Sequence, residues 1–180
     1  MTRACYLMLS LPLLVAVAAN ETPQQVVTKY NNYKAICNGL GYKNLGCKDT
    51  STIAFQSSLT HNLNNMKNHE TVVFDKVSVN EGKAYDSSSG IFTAPLDGTY
   101  SFTWTTLTTG GKYFISEIMQ NGKVITKNYT DGRGRDGYEM STSHANIKMK
   151  KGDKVWIRTY GNLGQHAVGG HWCYFSGLKL

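Results

Sequence analysis

Residues Thr99 to Leu107 alternate by twos, with Tyr100, Phe102 and Trp104 on one side and Ser101, Thr103 and Thr105 on the other. Successive side chains of an extended strand point to opposite faces, so this segment is a strand with a buried aromatic face and a wet hydroxyl face. Just upstream, Pro95-Leu96-Asp97-Gly98 is turn chemistry. Proline presets φ, aspartate bonds its own backbone, and glycine accepts a positive φ. Gly90 to Ala94, after the serines at 87–89, is a short apolar strand. No helix can be drawn through this region, and the pattern sets an all-β class.

The rest of the chain past residue 50 has the same grammar. Ile53, Phe55, Ser57 and Leu59 share one side of a first strand. The stretch 61–70 is a polar loop, Thr71 to Val77 resumes as strand, and Asn80-Glu81-Gly82 breaks it. Tyr113 to Gln120 is followed by Asn121-Gly122, the strongest two-residue hairpin signal, and by a return strand from Lys123 to Thr126. Asp131 to Gly137 is a flexible, charged loop; Ser143, Ala145, Ile147 and Met149 line a further strand. Lys151-Gly152-Asp153 turns the chain into Val155, Ile157 and Thr159. A glycine-rich loop, 161–170, leads to a final strand over the last ten residues. Nine or ten short strands separated by turn signals indicate an antiparallel sandwich, not a βαβ fold.

The first fifty residues divide into two parts. In 1–19, Arg3 and the apolar run from Leu7 to Val17 precede Val17-Ala18-Ala19. That order is expected of a secretory signal peptide, and the run is too short to span a bilayer. Residues 20–50 are polar with no clear period and are expected to be a loosely structured extension. An oxidising compartment favours pairing Cys37 with Cys47, although bridges to another subunit or to Cys173 also fit. Cys173 shares a strand face with Phe175 and is expected to be a buried free thiol. The formal charge of +7 is spread along the chain, which argues for a solvated rim over a nucleic-acid site and would help capture anionic surfaces.

Seven blocks occur in order across 51–180: IAFQSSLT, VVFDKV, NEGKAYD, SGIFTAPLDGTYSFTW, NGK, KKGDKVWI and FSGLKL. Together they closely resemble the globular domain of the complement C1q family, here without a collagen stalk. The resemblance implies a ten-stranded jelly-roll sandwich, similar to tumour necrosis factor, that assembles as a homotrimer. In that frame Tyr100, Phe102, Phe175 and Leu178 belong to the core, and Gly177 sits where another group comes close. Some family members hold calcium between subunits, but no ligand set here matches residue by residue.

Catalytic chemistry has little support, since the sequence carries no GxSxG elbow, HExxH motif or Gly-rich phosphate loop. His171 and Cys173 stand two apart as a conceivable thiol–imidazole pair, with a core cysteine beside a strand-end histidine the plainer reading. His61, His69, His144, His166 and His171 are scattered, without the tight spacing of a zinc site. Ligand recognition is the better expectation, because loops on a rigid sandwich collect binding residues. Arg133 and Arg135 can fork onto carboxylate, sulfate or phosphate, and Tyr138 can stack on a sugar. Asn128-Tyr129-Thr130 is an N-glycosylation acceptor beside that loop. These features, with the resemblance, lead to the expectation of a secreted, lectin-like pattern-recognition protein of innate immunity that binds glycans or anionic microbial surfaces. The alternatives are an extracellular trimeric ligand for a receptor or matrix partner, and a metal-associating plasma protein.

Overall fold

A computed structural model describes residues 22–39, 52–162 and 165–180. The first described segment is a helix, α1 (Pro23–Gly39), where the sequence reading expected loose structure. Its start was legible. Thr22 Oγ1 accepts from the Gln25 amide at 3.4 Å while Gln25 Oε1 accepts from the Thr22 amide at 2.8 Å, a reciprocal cap with proline at the first helical position. Residues 1–19, Cys47 and the side chain of Cys37 lie outside the described residues, and with them the signal peptide and the Cys37–Cys47 bridge. The helix and the β-rich remainder are separate units that part between residues 50 and 51.

Twelve strands follow among the described residues. The first six are β1 (Ala54–Ser58), β2 (Leu63–Met66), β3 (Lys76–Glu81), β4 (Tyr85–Asp86), β5 (Ile91–Thr93) and β6 (Gly98–Thr109). The others are β7 (Tyr113–Gln120), β8 (Lys123–Asp131), β9 (Tyr138–Met149), β10 (Lys154–Thr159), β11 (Gln165–Ala167) and β12 (Tyr174–Lys179). Ten of them build two five-stranded antiparallel sheets, ordered β3-β1-β12-β6-β9 and β4-β5-β10-β7-β8. This is the ten-stranded jelly-roll sandwich. The additional pair, β2 with β11, lies in the two stretches expected to be loops. Another expectation shifts: between Thr71 and Val77 only an isolated Thr71–Arg158 bridge forms before Lys76, although Val72 and Phe74 are buried. The strand instead runs Lys76 to Glu81, because pairing with β1 carries it through Asn80.

Between the sheets lies an aromatic interior. Phe55 stacks on Tyr85 at 4.7 Å and meets Phe175 edge-on at 4.9 Å, while Phe92 meets Phe102 edge-on at 5.3 Å. Edge-to-face and offset contacts of this kind match positive ring edges to negative ring faces. The polar ends of the large rings are all partnered. Trp104 Nε1 donates across the sandwich to Ser116 Oγ at 3.0 Å, and the Tyr85 and Tyr100 hydroxyls donate to the carbonyls of Phe74 and Leu96. Tyr100, Phe102 and Phe175 are fully buried, as expected. Leu178 is not: it is 47% exposed, because Phe175 and Gly177 face inward and the intervening parity sends Leu178 out.

Gly177 is a packing residue. A Cβ there would stand 2.6 Å from Phe102 Cδ1 and 2.7 Å from Phe55 Cε1, so two rings occupy the space a side chain would need. Cys173 is a buried free thiol whose Sγ accepts from the Leu107 amide at 3.1 Å. Burial pushes that thiol from 9.0 up to about 11.

Two outcomes are expected. Gly177→Ala should destabilise the fold by about 1–3 kcal/mol through overpacking, and Phe102→Ala by about 3–5 kcal/mol, both read from urea denaturation midpoints. For Cys173, the folded state favours the protonated thiol, so its contribution is full below pH 9 and is lost as pH rises towards 11. Thermal melts between those values should fall more steeply for the native protein than for Cys173→Ala.

Candidate functional site

The loop between β8 and β9 holds the residues that the sequence singled out. It is laced by backbone hydrogen bonds to the β6–β7 turn: Gly110 N to Gly137 O at 2.7 Å, Gly111 N to Gly132 O at 2.8 Å, and Gly132 N to Lys112 O at 2.8 Å. Gly110 has to be glycine, since a Cβ would stand 2.5 Å from the Arg135 carbonyl. The expected flexible loop is therefore pinned along one side.

Arg133 and Arg135 part company in this loop. Arg133 forks onto Asp131, with Nε to Oδ1 and a terminal nitrogen to Oδ2, both at 2.8 Å. The same terminal nitrogen reaches the Tyr129 hydroxyl, and the guanidinium lies 4.7 Å over the Tyr113 ring. Arg133 hydrogen bonding holds the Asp131 carboxyl well below the usual carboxylate range, and Asp131 in turn raises Arg133. Its fork is already closed on a carboxylate. Arg135 pairs with Glu139 at 2.9 Å, both on the surface, and lines a shallow depression with Gly110, Gly111, Gly134, Asp136 and Gly137. Tyr138 is 67% exposed and lies outside that lining.

Asn128 is inside the protein. It is 3% exposed, and its Nδ2 donates to Thr106 Oγ1 at 3.3 Å and to the Ser141 carbonyl at 3.2 Å. A sugar on that nitrogen would displace both bonds. The cause is a β-bulge. The hairpin at Asn121-Gly122 sets Gln120 opposite Lys123 and Met119 opposite Val124, but the register shifts before Ile118, which faces Thr126. One extra residue in β8 exchanges its two faces, so Asn128 and Thr130 turn inward.

The same shift assembles an outward surface that the sequence reading missed. Glu117 faces Lys127 on one side and Arg158 on the other. Both Arg158 Nε and its terminal nitrogen contact Glu117 Oε1 at 2.6 Å, whereas Lys127 Nζ stands 3.6 Å from Oε2. The next row sets Ile115 opposite Tyr129, with the Tyr160 amide donating to the Ile115 carbonyl at 3.0 Å. Lys127 Nζ lies 3.3 Å over the Tyr160 ring. Tyr113 with Asp131 and Arg133 forms the third row. Alternation in 113–117 was visible, but the pairing of those residues with Lys127 and Tyr129 depends on the bulge.

His171 and Cys173 turn to different partners. His171 Nδ1 shares a hydrogen bond with Ser58 Oγ at 2.7 Å, while the Cys173 sulfur turns to Leu107. His144 pairs with Ser101 at 2.8 Å, His61 with Thr60 at 2.7 Å, and burial lowers His166. Among the described residues no group of three His, Cys, Asp or Glu side chains is placed to hold a metal ion, and no helix is long and apolar enough to cross a membrane.

Comparison with known proteins agrees with this architecture. The model of the C1q domain family matches residues 54–179. Complement C1q tumor necrosis factor-related protein 3 of Mus musculus is 31% identical over 134 residues, 71% of this chain and 51% of that protein. Caprin-2 of Danio rerio is 32% identical over 136 residues, 71% of this chain and 14% of its own length. The chain thus spans about half or less of the curated relatives it matches. Among solved structures, the globular domain of zebrafish complement 1qA superposes with a TM-score of 0.58 at 16% identity, over 72% of this chain and 97% of that one. The Eiger TNF structure from S. frugiperda gives 0.60 at 9% identity, over 72% and 93%. From its strand order to its match over the whole sandwich, this chain belongs to the C1q domain family.

Proposed function

We propose that the protein is a secreted, lectin-like recognition protein of innate defence, a homotrimer that holds glycans or anionic microbial surfaces without chemically altering them. Membership of the C1q domain family over residues 54–179 is the observation that carries this reading. The predicted signal peptide supports secretion. A non-catalytic role is supported by the separate partners of His171 and Cys173.

Self-association has its own physical support. On the outward face of the first sheet the three central strands present Ala54, Gln56 and Ser58, then Tyr174, Ser176 and Leu178, then Ser101, Thr103 and Thr105. None of these is charged, on a protein with 31 Lys, Arg, Asp and Glu residues. Half-exposed Leu178 and Val79 add apolar area to that face. The uncharged centre of such a face can be covered by further copies without stranding an ion, and burying an unpaired ion is the large cost in any interface. Three heads would then convert weak contacts into avidity. Arg135 and Tyr138, both accessible, remain the loop residues for direct contact, with Arg133 contributing only if its bond to Asp131 opens.

Sedimentation equilibrium of the secreted protein should give three times the protomer mass, and Ser176→Glu, which places a charge in the middle of the uncharged face, should give one. A glycan and whole-microbe binding screen, run with and without calcium, should be positive for the native protein. Blank arrays alongside capture of a cell-surface protein would transfer the reading to a protein ligand.

A further inference from the structure

We propose that the outward face of the second sheet, around Ile115 between Tyr160 and Tyr129, is a binding site for an acidic oligosaccharide. The inference rests on the recognition reading and gives it a location and a ligand class. Tyr160 and Tyr129 flank Ile115 on adjacent strands, so their backbones stand about 10 Å apart, two strand spacings. The C–H face of a pyranose is slightly positive and packs against the negative face of a tyrosine ring, which Tyr129 offers, while the Tyr160 ring carries the Lys127 ammonium. Both tyrosines are accessible, at 41% and 50%.

The rings are held before any ligand arrives. The Tyr129 hydroxyl donates to Asp131 at 3.0 Å and accepts from Arg133, and Lys127 sits on the Tyr160 face. Fixed aromatic side chains lose little entropy on binding, which favours affinity over equally sized flexible ones.

Charge selects the ligand class. Arg133 and Asp131 neutralise each other. In the neighbouring row two cations, Lys127 and Arg158, face the single carboxylate of Glu117, and Arg158 holds it at the shorter distance. Lys127 is left 3.6 Å from Oε2, beyond a normal hydrogen bond, with its side chain 45% exposed. An ammonium has three donors, and these contacts do not use them all. The uncompensated positive charge therefore lies over the Tyr160 ring, across Ile115 from Tyr129, where the ring carboxylate of a hexuronate stacked on Tyr129 would meet it.

The test is calorimetric titration of the full secreted protein with hexagalacturonate, maltohexaose and poly-glutamate at low and physiological salt. Hexagalacturonate should bind, maltohexaose more weakly, and poly-glutamate more weakly still because it has charge without a ring. Lys127→Gln and Tyr129→Ala should each lower hexagalacturonate affinity by about tenfold, and Lys127→Gln should also flatten its salt dependence. Lys150→Gln, which removes a remote surface charge, should leave affinity unchanged. Should Tyr129→Ala fail to fold, Tyr129→Leu keeps bulk without an aromatic face and is read in its place. Hexagalacturonate binding that is absent, matched by poly-glutamate, or unaffected by both variants overturns this site. If other glycans or microbes are still bound in the screen, only the site fails; if that screen is blank as well, the recognition reading fails with it.

Discussion

The contact between Gly177 and the rings of Phe102 and Phe55 is the constraint on which the sandwich depends. β12 sits at the centre of the first sheet, and the missing side chain at Gly177 lets two aromatic rings close over its backbone. Phe55 then reaches Tyr85, Phe92, Phe102 and Phe175, joining strands of both sheets through a single ring. Such an interior is dense and directional, because each ring position restricts the next. The outward faces carry no comparable restriction, which is why polar and charged residues can vary there without disturbing the layers.

Much of this was legible in the sequence, for reasons tied to particular residues. The alternation of Tyr100, Phe102 and Trp104 needs only local geometry to be read, and all three are fully buried. Asn121-Gly122 likewise marks its turn from two residues alone. Leu178 was assigned to the wrong side because membership of a motif was followed in place of its odd spacing from Phe175. The helix at Pro23–Gly39 was missed although Thr22, Pro23 and Gln25 spell its cap. The strand pair β2–β11 could not be anticipated, since its two partners are about a hundred residues apart and neither alternates cleanly.

The candidate site was less legible than the fold, and electrostatics explains the difference. A sequence shows Arg133 as a cation near the top of a loop. The structure shows a guanidinium whose donors are directed to Asp131 and Tyr129 and whose face covers Tyr113. Charge counting along the chain cannot distinguish an ion that is spoken for from one with donors to spare. Lys127, unremarkable in sequence, is the better-placed cation because Arg158 closes on Glu117 Oε1 while Lys127 stands 3.6 Å from Oε2, beyond a normal hydrogen bond.

The extra residue between Ile118 and Met119's partners in β8 has a consequence for how such a surface can change over time. Loss of the unpaired Ile125 would leave Thr126 opposite Ile118 and Lys127 opposite Glu117, so the hairpin would become regular while Lys127 and Tyr129 stayed outward and Asn128 inward. Straightening the strand with Ile125 in place would instead carry Lys127 and Tyr129 into the oily interior and bring Asn128 out as an accessible sugar acceptor. The kink therefore decides between two surface identities, one displaying a cation and a ring, the other displaying a glycan.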